Sequence, residues 1–155
     1  MTLIFHFIQA VACAQNNITL VSPFVQRISD WYEKRKGETF ELDKAPGVKM
    51  VQQIYNYFKK FDHPTIVMAA SLRKVGTIIA LAGCDKLTMP PALIEELEKN
   101  KGILEPELTV EKAKESDEEK LEVDEALFRW AINEDEMAVE KIAEGIRLFA
   151  AGSLN

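Results

Sequence analysis

Short apolar runs alternate with segments of helical spacing along the first hundred residues of the chain. Four of these runs predict strands: residues 2–7, 18–22, 65–70 and 86–89. The second and third runs are apolar at consecutive positions, which is typical of a strand buried on both faces of a parallel sheet. The pattern therefore predicts four buried, parallel strands.

A segment with helical character follows each predicted strand. Apolar residues recur three and four positions apart, most clearly between Val48 and Phe58. The predicted helices cover residues 8–14, 25–34, 48–60, 75–82 and 91–102, and a final helix is expected from an Asn133 cap through Ala138, Ile142, Ile146 and Phe149.

Two segments interrupt this alternation. Residues 37–47 are polar and contain proline and glycine, which predicts a loop. Residues 105–125 are dense in charge, and we interpret them as a solvated connecting segment with a short helix at its end. Four strand–helix units and a terminal helix predict an α/β fold, either a small open sheet or half of a (β/α)8 barrel.

The composition argues against some classes of binding partner. The 155 residues carry a net charge of −6, which argues against nucleic acid or an anionic membrane as the main partner. Cys13, Cys84, His6 and His63 do not lie at metal-ligand spacing, so we predict no metal site. No lysine or arginine precedes the apolar N-terminal stretch, which argues against a signal peptide; we expect a single cytoplasmic domain and leave a disulfide open.

Candidate binding residues follow the second and third predicted strands. Ser22, Phe24 and Arg27 follow one strand, and Ser71 and Arg73 follow the next. Ligands of parallel α/β folds bind at the carboxyl ends of the strands. Arginine forks and serine hydroxyls match phosphate oxygens, which predicts a phosphate clamp. In the alternative interpretation, the arginines only pair with surface carboxylates.

Three other conspicuous residues favour structural roles. His6 lies in an apolar run, which favours a packed, hydrogen-bonded histidine over a catalytic base. Trp31 and Trp130 are interpreted as packing residues.

Several stretches resemble the C-terminal half of the transaldolase family. The stretches are TLIF (2–5), LVSPFVQRISDWY (20–32), GVKMVQQIYNYFKKF (47–61), AASLR (69–73), LAGCDKLT (81–88) and FRWAINEDEMAVEKIAEGIRLFA (128–150). The resemblance runs from residue 1 to about residue 150 and is weakest over residues 105–122. It implies a single domain over residues 1–155 that forms the C-terminal half of a (β/α)8 barrel.

The resemblance also implies roles for the strand-end residues. In the family, the matching positions of Ser22, Phe24, Arg27, Ser71 and Arg73 bind a sugar phosphate, and the residue at Thr2 positions the catalytic water. Transaldolases move a dihydroxyacetone unit between sugar phosphates in the pentose phosphate pathway, without a cofactor. In the family pattern, glycine stands at the positions of Gln26 and Ala69, phenylalanine at Leu72, and a smaller residue at Pro90.

The family's covalent chemistry requires a lysine, which forms a Schiff base with the ketose and must point into the barrel from a strand. The first three predicted strands contain no lysine, and Lys86 opens the fourth at the end remote from the ligand. We therefore expect these 155 residues alone to be inactive. They would need a complementing N-terminal half or form a homodimer; otherwise they are a non-catalytic sugar-phosphate-binding module or a vestigial fragment.

Overall fold

The computed structural model describes residues 1–37 and 39–153, in which three short strands form one parallel sheet. The strands are β1 (Leu20–Val21), β2 (Ile66–Ala69) and β3 (Lys86–Leu87), in the order β1-β2-β3. Parallel neighbours require crossover connections, and helices supply them. The predicted α/β class is confirmed, and the arrangement is consistent with part of a (β/α)8 barrel.

Helices make up most of the described chain. They are α1 (Phe7–Gln15), α2 (Val25–Lys36), α3 (Pro46–Lys60), α4 (Val75–Ile79), α5 (Pro91–Lys99), α6 (Val110–Lys114), α7 (Glu125–Glu134) and α8 (Glu136–Ser153). The predicted loop at 37–47, of which position 38 lies outside the described residues, contains a 3₁₀ helix at Leu42–Lys44 and the start of α3. Proline suits the first helical position because it needs no backbone N–H there.

The first predicted strand is reduced to one bridge, in which Ile4 pairs with Pro23 in parallel. Residues 2–7 were expected to form a strand, and this prediction is wrong in extent. Leu3 has a φ of 56°, which breaks the extended backbone. The Gln9 side chain accepts hydrogen bonds from the N–H groups of Phe5 and His6 and donates to the Leu3 carbonyl. The N–H groups of Phe5 and His6 therefore bond to a helix residue, whereas the Ile4 carbonyl still accepts from the Phe24 N–H.

Helix α3 occupies the centre of the hydrophobic core. Val48, Val51, Ile54 and Phe58 are completely buried, as the spacing predicts. Burying a side chain of this size stabilises a fold by about 1.5–3 kcal/mol. Helix α3 approaches α2 so closely at Gly47 that a Cβ atom there would lie 2.0 Å from the Val25 carbonyl oxygen. Only glycine fits this crossing.

The two faces of the sheet differ in burial. Val67 and Ala69 of β2 are completely buried, whereas the alternate residues Ile66 and Met68 are only partly buried. Successive side chains of a strand point to opposite faces, so one face is covered by helices and the other is partly open. Such an open face is expected of a partial barrel.

The charged segment 105–125 is attached to the body of the fold. Leu108 and Ala113 are buried, and α6 packs against α3. The Tyr57 hydroxyl donates to the Leu121 carbonyl and accepts from the Leu121 N–H, at 3.2 and 3.1 Å. Gly83, with a φ of 98°, allows the Leu108 carbonyl to approach. Most residues of the segment are exposed, as a solvated connection requires, but buried side chains and backbone bonds anchor it to the fold.

The C-terminal region consists of two helices instead of the one expected from Asn133. Asn133 lies within α7, and the chain breaks at Asp135, whose Oδ1 accepts a hydrogen bond from the Ala138 N–H. An aspartate preceding a helix is as good a cap as asparagine, so sequence alone did not choose between them. The apolar stripe of α8 is buried at Ala138 but 56% exposed at Ile146.

Asp85 joins the strands at the end of the sheet opposite the candidate site. Its Oδ2 accepts a hydrogen bond from the Val67 N–H at 3.0 Å, and its Oδ1 lies 2.8 Å from Lys59 Nζ. Asp85→Ala leaves the Val67 N–H without an acceptor, and we expect a loss of about 1–3 kcal/mol in the free energy of unfolding. Asp85→Asn keeps an acceptor and should lose less, as urea unfolding will show. No loss for Asp85→Ala would contradict this account.

His6 should make the stability depend on pH. Its Nδ1 accepts from the Ile8 N–H and caps α1. Burial lowers the pKa of His6, although Asp135 partly opposes this. The unfolded chain then binds the proton more tightly, so this stabilisation is complete above the ordinary histidine value of about 6.5 and falls as pH drops through the lowered pKa.

The measurement compares wild type with His6→Asn, which keeps a capping acceptor but does not titrate. We expect the free energy of unfolding of wild type, relative to the variant, to decrease between about pH 7.5 and pH 5. His63, whose pKa is also lowered by burial, is common to both chains and cancels. Identical pH profiles would contradict the prediction.

Candidate functional site

The loops that follow β1 and β2 run side by side beyond the ends of the strands. The Ala70 N–H donates to the Pro23 carbonyl at 2.9 Å, and the Val25 N–H donates to the Ala70 carbonyl at 3.0 Å. Phe24 and Ala70 form a parallel bridge. These bonds hold Ser22 and Ser71 on adjacent loops at the carboxyl end of the sheet, where ligands of parallel sheets bind.

The two serines sit in different environments. Ser22 is buried, whereas Ser71 is partly exposed. Ser71 has a φ of 62°, a left-handed conformation that is uncommon for a serine. Such strained residues cluster at ligand-binding sites, where the surrounding structure holds them in place.

Arg27 lies in the first turn of α2 and stacks on an aromatic ring. Its Cζ is 4.7 Å from the centroid of the Phe24 ring. Phe24 in turn packs against Phe5 and against Phe149 of α8, with centroid separations of 5.7 and 6.5 Å. A hydrogen bond from Lys141 lowers the pKa of Glu144 on α8, and the charge of Arg27 contributes to the same effect. Arg27 is therefore close to both an aromatic platform and a carboxylate.

Arg73 extends from the loop after β2 to α2. Its Nη1 donates to Asp30 Oδ2 at 2.8 Å, and the arginine side chain is 56% exposed. The other oxygen of Asp30 accepts from Gln26 Nε2 at 3.0 Å. Arg73 therefore has a carboxylate partner, while more than half of its side chain stays exposed.

Thr2 lies beside the β1 end of this region. Its side chain is exposed, and the neighbouring Met1 bonds to β1 on both sides: its ammonium donates to the Leu20 carbonyl, and its carbonyl accepts from the Ser22 N–H. Ala69 and Leu72, two positions where the family pattern differs, have their side chains in the core.

No lysine lies in β1 or β2, and Lys86 is the first residue of β3. Lys86 is exposed and pairs with Met68, on the partly open face of the sheet. It lies two positions before Thr88, whose N–H bonds to the Ala69 carbonyl at the end of the strand. Because Lys86 is exposed, it lacks the apolar, desolvated environment that an imine-forming lysine requires.

Sequence reasoning missed Asp30, which binds Arg73, and Gln26, which binds Asp30; it also missed Glu144, whose pKa the charge of Arg27 helps to lower. Gln26 and Asp30 are four residues apart, a spacing that brings side chains together on one face of a helix. That spacing was the available signal, whereas the distance of 117 positions between Arg27 and Glu144 gave none. His6 caps α1 and Trp31 is buried, as their structural interpretations predict, whereas Trp130 is 60% exposed and its packing role stays a prediction.

An open cavity of about 530 Å³ lies away from the strand ends, between the start of α1, α2 and the junction of α7 with α8. Its lining includes His6, Trp31 and Asp135. The Trp31 Nε1–H donates to Glu140 Oε2 at 2.7 Å. Within the described residues, no three His, Cys, Asp or Glu side chains converge as metal ligands would, and no helix has the length and apolarity to cross a bilayer.

Comparisons with known proteins show the family to which the chain belongs. A family model described as Transaldolase/Fructose-6-phosphate aldolase matches residues 1–153. A transaldolase of Rattus norvegicus is 54% identical over 155 residues, covering 99% of this chain and 46% of the relative. A transaldolase of Agrobacterium fabrum is 54% identical over 150 residues, covering 97% of this chain and 46% of the relative.

A probable transaldolase of Drosophila melanogaster is also 54% identical, over 99% of this chain and 47% of the relative. The chain therefore spans about half the length of the curated relatives it matches, and it corresponds to their C-terminal part. With the family model matching nearly every residue, this chain belongs to the transaldolase/fructose-6-phosphate aldolase family.

Proposed function

We propose that these 155 residues form the phosphate-binding side of a transaldolase-type site and bind sugar phosphates through Ser22, Arg27, Ser71 and Arg73. The observation that carries the proposal is the hydrogen-bonded pairing of the loops after β1 and β2, which places all four residues at one end of the sheet. The family membership supports the same ligand class.

The chemistry of these side chains fits a phosphate ester. A guanidinium group donates several N–H groups in a fixed plane, and each serine hydroxyl adds a neutral donor. The exposed part of Arg73 and the partly exposed Arg27 leave donors available. The Phe24 ring under Arg27 restricts that side chain, which reduces the entropy lost on binding.

The covalent step of the family requires a lysine on a strand. Among the strands of the described residues, only β3 contains a lysine, Lys86. In that step the ketose carbonyl and a neutral ε-amine lose water to form an imine. A base then removes the proton of the β-hydroxyl, the bond between the α and β carbons breaks, its electron pair forms an enamine, and the rest of the sugar leaves as an aldehyde. We propose that the chain alone does not catalyse dihydroxyacetone transfer between sugar phosphates. Transfer would need the N-terminal half of a transaldolase barrel, with Thr2 assisting proton movement.

A partner surface is part of the same proposal. The partly open face of β2 and the exposed apolar residues of α8 suit either a complementing N-terminal half or a second copy of this chain. The unpaired thiols of Cys13 and Cys84 support a reducing compartment such as the cytoplasm.

A second candidate function is sugar-phosphate binding without catalysis. It is favoured by the exposed, charged environment of Lys86, the strand lysine nearest the site. A vestigial fragment would bind no sugar phosphate, so the binding experiment below distinguishes it from the other possibilities.

Phosphate-ester binding should depend on the strand-end arginines. We expect Arg27→Ala and Arg73→Ala each to weaken fructose 6-phosphate binding at least about tenfold, because each removes a charge-assisted hydrogen bond. Isothermal calorimetry at low salt measures this, with fructose as the ligand lacking phosphate. Arg129→Ala, on the exposed face of α7, is the matched control and should bind normally. An equal loss for Arg129→Ala, or no heat with wild type, would contradict the proposal.

Borohydride trapping tests the missing covalent step. Borohydride reduces an imine to a stable secondary amine, which mass spectrometry detects as an added mass. We expect no adduct after incubation of this chain with fructose 6-phosphate and borohydride, whereas a full-length transaldolase treated in parallel should gain one. An adduct on Lys86, or on any other lysine, would refute the proposed inactivity.

A further inference from the structure

Asp30 links the two elements that carry the candidate arginines. It lies on α2, one turn after Arg27, and its Oδ2 accepts the hydrogen bond from Arg73 Nη1 at 2.8 Å. Its Oδ1 accepts from Gln26 Nε2 at 3.0 Å. Both carboxylate oxygens are therefore engaged, one by the helix itself and one by the loop after β2.

Burial decreases stepwise along this chain of hydrogen bonds. Gln26 is 6% exposed, the Asp30 side chain 21%, and the Arg73 side chain 56%. A buried amide holds its hydrogen bond firmly because water does not compete with it. The buried Gln26 can thus fix the carboxylate, and the carboxylate can fix an arginine that would otherwise move freely in solvent.

Gln26 stands where the family pattern has glycine, so its side chain is an addition to that pattern. Gln26 lies in the first turn of α2, with its side chain directed along the helix to Asp30, and a glycine there would provide no hydrogen bond. The extra side chain therefore supplies a contact to the site instead of blocking it.

An arginine side chain that moves freely in the unbound protein loses considerable conformational entropy when it binds phosphate. One Nη donates to Asp30, and the remaining donors of the guanidinium stay available for phosphate oxygens. We propose that Asp30 is a positioning residue that orients the Arg73 guanidinium for phosphate binding, and that Gln26 holds Asp30 in place. This inference rests on the proposed phosphate-binding function.

Two conservative variants test the arrangement. Gln26→Met keeps the length and burial of the side chain but removes the N–H donor, without any change in charge. Asp30→Asn keeps the size but removes the negative charge that orients Arg73. Glu136→Gln, which breaks the exposed ion pair of Arg35 at the other end of α2, is the matched control.

The first readout does not need a ligand. Nitrogen-15 NMR of the guanidinium groups reports rotation about the Nε–Cζ bond, and Arg73→Lys assigns the Arg73 signals. In wild type and in Glu136→Gln we expect separate Nη signals for Arg73, because the hydrogen bond to Asp30 slows rotation. In Gln26→Met and Asp30→Asn we expect these signals to merge. Separate signals in both of the latter variants would overturn the proposal.

The second readout is the dissociation constant of fructose 6-phosphate from calorimetry. We expect it to rise about 2–10-fold in Gln26→Met, the size expected when one long side chain must be ordered on binding. A lower dissociation constant in both Gln26→Met and Asp30→Asn would show that Asp30 competes with phosphate, and would overturn the proposal. If wild type does not bind, the proposed function fails, and the NMR signals still decide whether Gln26 and Asp30 fix Arg73.

Discussion

The parallel hydrogen bonding between the β1 and β2 segments is the constraint on which the rest of the structure depends. It continues past the strands through Pro23 and Ala70, so the two following loops leave the sheet together. Parallel pairing requires crossover helices, and these cover one face and form the core around α3. The same pairing therefore determines where the core lies and where the candidate ligand-binding residues meet.

Much of this architecture could be predicted from the sequence. Apolar runs located β1, β2 and β3, and the spacing from Val48 to Phe58 located α3, because burial imposes those patterns directly. The strand predicted over residues 2–7 is reduced to one bridge, which the sequence did not reveal, because the Gln9 side chain accepts the N–H groups of Phe5 and His6. The start of α8 was misplaced for a similar reason: Asn133 and Asp135 are equally good caps, and tertiary contacts decide between them.

The candidate site was predictable in outline only. Serines and arginines after adjacent strands indicated the right end of the sheet, and the family resemblance assigned them a ligand. Their immediate partners depend on side-chain geometry. Arg73 meets Asp30, which is 43 positions away, and Arg27 lies near Glu144 on a helix at the far end of the chain. Such pairs leave no periodic signal in the sequence, because the fold alone brings them together.

The close crossing of α2 and α3 at Gly47 has a consequence for inherited variation. A methyl group at position 47 would collide with the Val25 carbonyl. The N–H of Val25 donates to the Ala70 carbonyl and so holds the loop that carries Ser71. The displaced helix also bears Arg27 and Asp30. An alanine at position 47 would thus disturb the proposed ligand-binding residues although it contacts none of them. Its effect on ligand binding would resemble that of replacing one of the arginines.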